Sequence, residues 1–581
     1  MTTRAIHPLQ WLWTCALVLA AGAAFAAPAD PVALGDRIYR LGEDATRRPL
    51  QAVYGSGTKA SGAAVACIAC HRGSGLGGVE GDVTIPPITG RALFATGEPV
   101  VVRVDRRTGP GLTVAHGAYD EAAFTRIVRT GRDPAGRELN SLMPRYSLSA
   151  AELRAVSAYL RTLSTGPSPG VGPDELHFAT VIAPGVAPER REAFLRTLNA
   201  VVAQANMTVH TSQRQKLAIT ERRLGGRRHW TLDVWELAGS PDTWRAQLES
   251  RQEAHPVFAV LSGLGGDSWQ PVHDFCEEHH VGCWFPSIDV LPKRAEQGAF
   301  GLYFAGGVGA EAAVIARAIA PPARGRVVQV LGGDVRAAVA AGALRDRVAG
   351  DRLVQIALAD PTLPAMLASL QPDDALVLWL TTPEFAQLPT TAPSNRVYAS
   401  ALLVGGEDGV PPAWRTNTVL AQQQEKPALR AANVERLRAW LGGMHIPVVD
   451  LRMQSEVYFA ARYLLATTHA MLNNVHAPYL IERGEGMLSS YEAMLVRDEV
   501  QSLMMAPMNK RPGGGATTGT DAGVASSARA HLDEMATRGG TTVYPRLSLA
   551  NGQRIAAKGA YLERLDPAGA GVIGDPEWVV P

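Results

Sequence analysis

The sequence predicts a multidomain chain in which a small all-α unit is followed by a larger, bilobed α/β unit. Three observations carry this. Residues 149–163 form a capped amphipathic stretch that closes a helical region. A Gly/Pro-rich run, "STGPSPGVGPDE", follows at 164–175. Beyond it, short β-branched runs alternate with amphipathic helical stretches for some four hundred residues. Hydrophobic residues make up 46% of the chain and charged residues 19%, enough for packed cores. The formal charge of +1 gives no footing for nucleic acid or for general attraction to a membrane surface.

Residues 1–26 carry Arg4, then an apolar core that ends in Ala24-Phe25-Ala26. This is the layout of a cleavable secretory signal. Cys15 lies inside it, and no later stretch is long and apolar enough to cross a bilayer. The expectation is an exported, periplasmic mature chain with no transmembrane segment. The domains then run 27–163, a linker at 164–175, and 176–581.

In the first domain, "AAVACIACHRGSG" places Cys67, Cys70 and His71 in a Cys-x-x-Cys-His run. Such a pair serves as a redox dithiol, as part of a zinc site, or as a haem attachment point. The flanks are small and glycine-rich, with no strand leading in, and no second cysteine pair lies nearby. That leaves covalent haem attachment through Cys67 and Cys70, with the His71 imidazole on one face of the iron. The opposite face needs a second ligand. Met143 precedes Pro144, and Ser149 with Glu152 spells a Ser-x-x-Glu capping box. The helix opened there carries Leu153, Val156, Leu160 and Leu163 at helical spacing. Met143 is therefore the expected second axial ligand, preferred over His116.

With these motifs in place, residues 30–165 resemble the class I c-type cytochromes. "ALGDRIYRLG" is similar to the family's first helix, "ACIACH" to its attachment site, "LMPRY" to its methionine loop and 149–163 to its closing helix. The interval between His71 and Met143, with "VTIPPITGRALF", is longer than the pattern requires. The resemblance implies one covalent haem c, His/Met ligation and an electron carrier rather than an enzyme. A thioether ligand favours the ferrous state and raises the potential.

From 176 onward, "LHFATVIAP", "HPVFAVLSG", "GRVVQVLGG", "DRLVQIAL" and "DALVLWL" read as strands between helices. "FGLYFAGGVGAEAAVIARAIAPPARG" (299–325) reads as a strand and crossover helix where one lobe gives way to the next. "SEVYFAARYLLATTHAMLNN" (455–474) reads as a long helix, 509–530 as a low-complexity loop, and 542–565 as two strands around the Asn551-Gly552 turn. This half resembles type I periplasmic solute-binding proteins, so the whole chain is similar to fusions of a cytochrome c with a substrate-binding-like domain.

Parallel sheets place ligands beyond the carboxyl ends of their strands. On that ground Ser262, Asp267 and Ser268 form the candidate ligand cleft. Cys276 follows Trp269, Val272 and Phe275 on one helical face, and Gly282 offers a turn that lets Cys276 meet Cys283. A disulfide is the expectation in an oxidising compartment; a metal site from His273, Cys276, His280 and Cys283 is the alternative. No Ser-His-Asp order, paired-carboxylate motif or dinucleotide fingerprint identifies an enzyme. The functional reading is a periplasmic electron-transfer protein whose partner is a dehydrogenase or another cytochrome. The alternative is a small-molecule-binding transport or sensory protein whose haem reports redox state.

Overall fold

The computed structural model describes residues 30–80, 83–95, 101–102, 112–113, 117–214, 228–319, 325–489, 542–545, 547–569 and 571–581. The leader at 1–26, His116 and the 509–530 loop lie outside these residues. The chain divides into two compact units, one holding most of residues 30–165 and the other Gly166–Pro581.

The first unit is built around two helices, α1 (Pro31–Leu41) and α5 (Ala150–Leu160). Asp30 caps α1 through the Val32 amide, Pro31 opens it, and Gly42 ends it in the left-handed region. The Ser149–Glu152 capping box at the start of α5 has both reciprocal bonds. Between them lie α2 (Ile68–His71), α3 (Gly90–Phe94) and α4 (Glu121–Thr130). The all-α expectation omitted a three-stranded antiparallel sheet, ordered β2-β1-β3, from β1 (Gln51–Val53), β2 (Lys59–Ser61) and β3 (Arg145–Tyr146). Strands of two or three residues leave too little alternation to read in a sequence.

A single turn design is used twice here. After α1, Gly42 turns the chain, Asp44 accepts from the Arg48 amide, and the Leu50 amide returns to the Gly42 carbonyl. After α4, Gly131, Asp133, Arg137 and Leu139 repeat the same bonds. The core gathers Ile38, Tyr39, Leu50, Val65, Phe124, Tyr146, Leu153, Val156, Tyr159 and Leu160.

The second unit has two parallel-sheet lobes. The first sheet has six strands, all parallel, from β4 (Glu175–Ile182), β5 (His229–Glu236), β6 (Ala259–Leu261), β7 (Gly282–Trp284), β8 (Gly301–Ala305) and β14 (Ile555–Ala557). Their spatial order is β14-β8-β7-β6-β4-β5. The second sheet contains β9 (Val327–Leu331), β10 (Leu353–Ala357), β11 (Ala375–Trp379), β12 (Val397–Ser400), β13 (Thr418–Gln422), β15 (Ala560–Leu565) and β16 (Val572–Val579). Its order is β10-β9-β11-β12-β13-β15-β16, parallel through β13 and antiparallel over the last two strands. Helices cover these sheets, among them α6 (Pro188–Arg214), α7 (Trp244–Ala254), α8 (Gln270–His279), α9 (Gly307–Ala318) and α10 (Val335–Arg345).

The chain passes between the lobes three times: along α9, after β13 at Gln423–Lys426, and between β14 and β15 at Lys558-Gly559. After the second passage α12 (Pro427–Gly443) and α13 (Leu451–Met471) return to the first lobe, where Leu437 and Leu441 pack with Ala200 of α6. (The short helix Leu363–Ala368 is α11.) Two expectations are corrected. The strands near Asn551-Gly552 are not a hairpin around that turn, because both follow it and they enter different sheets. The bend before β7 is made by His280 in the left-handed region, while Gly282 lies in the strand.

Within 164–175, Thr165–Pro167, Pro169 and Pro173–Glu175 are exposed, while Ser168 and Gly170–Gly172 are partly covered. From Ser168 on, the segment is anchored to the second unit. The Ser168 hydroxyl accepts from the Ala477 amide, and the Gly170 carbonyl accepts from the His177 amide.

Candidate functional site

Cys67 caps the single turn α2, and Arg72 closes it with a φ of 65°, so the chain leaves immediately after His71. His71 is buried, with Nδ1 3.0 Å from the Pro86 carbonyl oxygen. A carbonyl only accepts, so Nδ1 carries the proton and Nε2 keeps its lone pair. Burial holds the imidazole at a pKa of about 4, neutral at ordinary pH. A ring fixed in this way is the form that ligates a metal through its second nitrogen.

Burial likewise pushes the Cys67 thiol up to about 12, the opposite of what a reactive redox thiolate needs. No disulfide joins Cys67 to Cys70. Two tyrosines hold the backbone on either side of the run. The Tyr146 hydroxyl donates to the Val65 carbonyl at 2.6 Å, and the Tyr39 hydroxyl to the Arg72 carbonyl at 2.6 Å. Neither was singled out from the sequence. The only signal was their place in aromatic positions of the flanking elements.

Met143 is half-buried against the same apolar cluster as Cys67 and Ile68. A turn at Asn140 presents it: the Met143 amide donates to the Asn140 carbonyl and the Leu142 amide to the Asn140 side chain, each at 3.0 Å. The Arg145 guanidinium holds the Met143 carbonyl, and Pro144 is buried beside it. Two unbridged cysteines, a neutral imidazole with a committed tautomer and a thioether, with Cys67 and Met143 packed in one apolar cluster, fit a covalently held haem.

The cleft trio does not assemble. Ser262 is fully buried at a φ of 54°, its amide bonded to the Trp284 carbonyl and its hydroxyl without a protein partner. Asp267 is exposed, and the Ser268 hydroxyl accepts from the Gln270 amide at the start of α8. Cys276 and Cys283 are joined, with Cα atoms 6.0 Å apart and both residues buried. The histidines of the alternative metal site are engaged elsewhere. His273 Nδ1 lies 2.8 Å from the Tyr303 hydroxyl, and His280 stacks on Phe300.

Sequence reading missed a polar cluster at the lobe junction. Asp289 follows β7 in the first lobe. Its two carboxylate oxygens accept from Arg452 Nη2 at 2.7 Å and Arg336 Nη1 at 2.8 Å. Arg452 stands at the start of α13 in the first lobe, whereas Arg336 lies in the first turn of α10 in the second. Arg336 also bonds Asp334, and Arg452 reaches Glu456, which accepts from the Tyr544 hydroxyl. Burial would raise the Asp289 carboxyl, but the Arg452 and Arg336 guanidinia outweigh it and hold it below the usual range. The gap between Gly307, Gln423, Arg452 and Tyr544 is about 10 Å³, roughly one water.

The cytochrome c family model matches residues 57–164. No curated protein matches the chain. Among solved structures, the chain is similar to a possible leucine/isoleucine/valine-binding protein from Rhodopirellula baltica (12% identity, 71% of this chain and 98% of that one, TM-score 0.43). It is also similar to a putative branched-chain amino acid ABC transporter from Silicibacter pomeroyi (12%, 70% and 96%, 0.42). A third is the branched-chain amino acid transporter substrate binding protein LivJ from Streptococcus pneumoniae (8%, 70% and 100%, 0.39). No helix among the described residues is long and apolar enough to cross a membrane.

Proposed function

We propose that the chain is an exported electron carrier. Its first unit would hold one haem c through Cys67 and Cys70, with His71 and Met143 supplying the iron ligands, and its second unit serves recognition of a redox partner or a small molecule. The observation that carries this is the His71 ring, buried, neutral and committed through Nδ1 to the Pro86 carbonyl, inside the run matched by the cytochrome c family. When bound, the haem iron cycles between two oxidation states and passes single electrons. The chain's own residues do the rest. Cys67 and Cys70 anchor the group, Tyr146 and Tyr39 hold the backbone around the anchor, and Pro86 sets the His71 tautomer. The Asn140 turn and Arg145 aim Met143, and the surrounding apolar core keeps water out and so favours the less charged, reduced centre. A dehydrogenase or another cytochrome of the periplasm is the partner chemistry that such a carrier meets.

Denaturing electrophoresis with haem-peroxidase staining of the exported protein tests the attachment. A stained band at full length is expected, and haem lost to acidified organic solvent refutes it. Met143→Ala should abolish the near-infrared sulfur-to-iron band, lower the potential and let carbon monoxide bind. A wild-type protein that takes up carbon monoxide at the same rate refutes methionine ligation.

A further inference from the structure

We propose that Asp289 is a built-in latch that holds the two lobes of the second unit together without any solute. In a hinged two-lobe protein the closed arrangement is stabilised by whatever bridges the lobes, normally the ligand. Here a side chain of the first lobe does so. One Asp289 oxygen is fixed within its own lobe by Arg452, and the other is taken by Arg336 of the second lobe. The three side chains are between 14% and 24% exposed, so solvent screens this bridge less than a surface pair.

The backbone at Asp289 is seated as firmly. Its carbonyl accepts from the Val308 amide at the start of α9, where Gly307 has a φ of +61° and a Cβ would come within 2.2 Å of that same oxygen. Gln423, on the second passage, donates to the Gly307 carbonyl at 2.8 Å. The latch therefore sits against two of the three passages about which the lobes would turn. Beside Arg452, between Gly307, Gln423 and Tyr544, the gap is of water size rather than solute size. None of this depends on the haem reading.

The test uses the full-length protein in solute-free buffer, with small-angle scattering for compactness and amide exchange at 306–308, 423–426 and 558–559. Wild type should be compact and protected. Arg336→Gln should expand the second unit and speed exchange at the passages by on the order of ten-fold, while Asp289 stays neutralised by Arg452, so the lobes themselves remain folded. Asp289→Asn should open it further, because two guanidinia are left facing each other. Asp334→Asn removes the local partner of Arg336 but spares the bridge, and should leave the protein closed. The proposal is overturned by a wild type that is already open, by an R336Q protein as compact and protected as wild type, or by a D334N protein that opens as R336Q does.

Discussion

Gly35→Ala sets two effects of opposite sign against each other at the crossing of α1 and α5. Alanine is favoured over glycine inside a helix by about 1 kcal/mol. A Cβ on Gly35, however, would lie 2.1 Å from the Ala155 carbonyl oxygen and 2.6 Å from Tyr159 Cβ. The first of these is backbone in the middle of a helix and cannot rotate away. The helices must part, which loosens the Tyr39–Tyr159 ring contact at 5.2 Å and the Arg40–Tyr159 hydrogen bond at 2.9 Å. Overpacking of this kind costs typically 1–3 kcal/mol, at the upper end where backbone is the obstacle. Packing wins, and the first unit should lose about 1–2 kcal/mol net.

Gly342→Ala in α10 is the matched control. Its nearest neighbour would be Arg345 Nη2 at 3.6 Å, so only the propensity gain remains and the second unit should gain up to about 1 kcal/mol. Denaturant titration of the full chain resolves the two units, because every tryptophan after the leader lies beyond residue 229. Tryptophan fluorescence follows the second unit and haem absorption the first. A G35A protein as stable as wild type, or more so, refutes the close-crossing argument.

Two other outcomes are expected. Glu563 is fully buried with both carboxylate oxygens unpartnered, and burial together with Glu407 pushes its pKa up to about 8. The folded state thus keeps a proton that the unfolded state sheds near 4.5, so this group's contribution to stability falls as pH rises from about 4.5 to about 8. Glu563→Gln should therefore stabilise the second unit more at pH 8 than at pH 5, and equal gains at both would exclude the buried acid. Replacing Cys276 and Cys283 by alanine should cost the second unit about 2 kcal/mol, the short-loop end of disulfide stabilisation. Peptide mapping without reductant should recover the linked pair, and two alkylatable thiols in the native protein would reject it.

Local chemistry was legible in the sequence where neighbours along the chain make the structure. The Ser149–Glu152 capping box, the strands at 175–182, 327–331 and 375–379, and the helix that carries Trp269, Val272, Phe275 and Cys276 into one core all depend on spacings of a few residues. The Cys67-x-x-Cys70-His71 run belongs to the same class, since α2 is a single turn. Where the contacts are distant, spacing says nothing. Asp289 meets Arg336 and Arg452 across 47 and 163 residues, and the Tyr146 hydroxyl reaches Val65 across 81. Ser262 and Asp267 share one strand-end loop, yet one faces the lobe interior and the other water. That choice is made by packing around Trp269, which lies against Gly263 and Gly265. In the same way, β14 and β15 are separated by two residues and look like one continuous ribbon, but hydrogen bonding assigns them to different lobes. A strand's pattern states that one face is buried; which open edge accepts its amide and carbonyl groups is settled when the sheets, formed from segments hundreds of residues apart, come together.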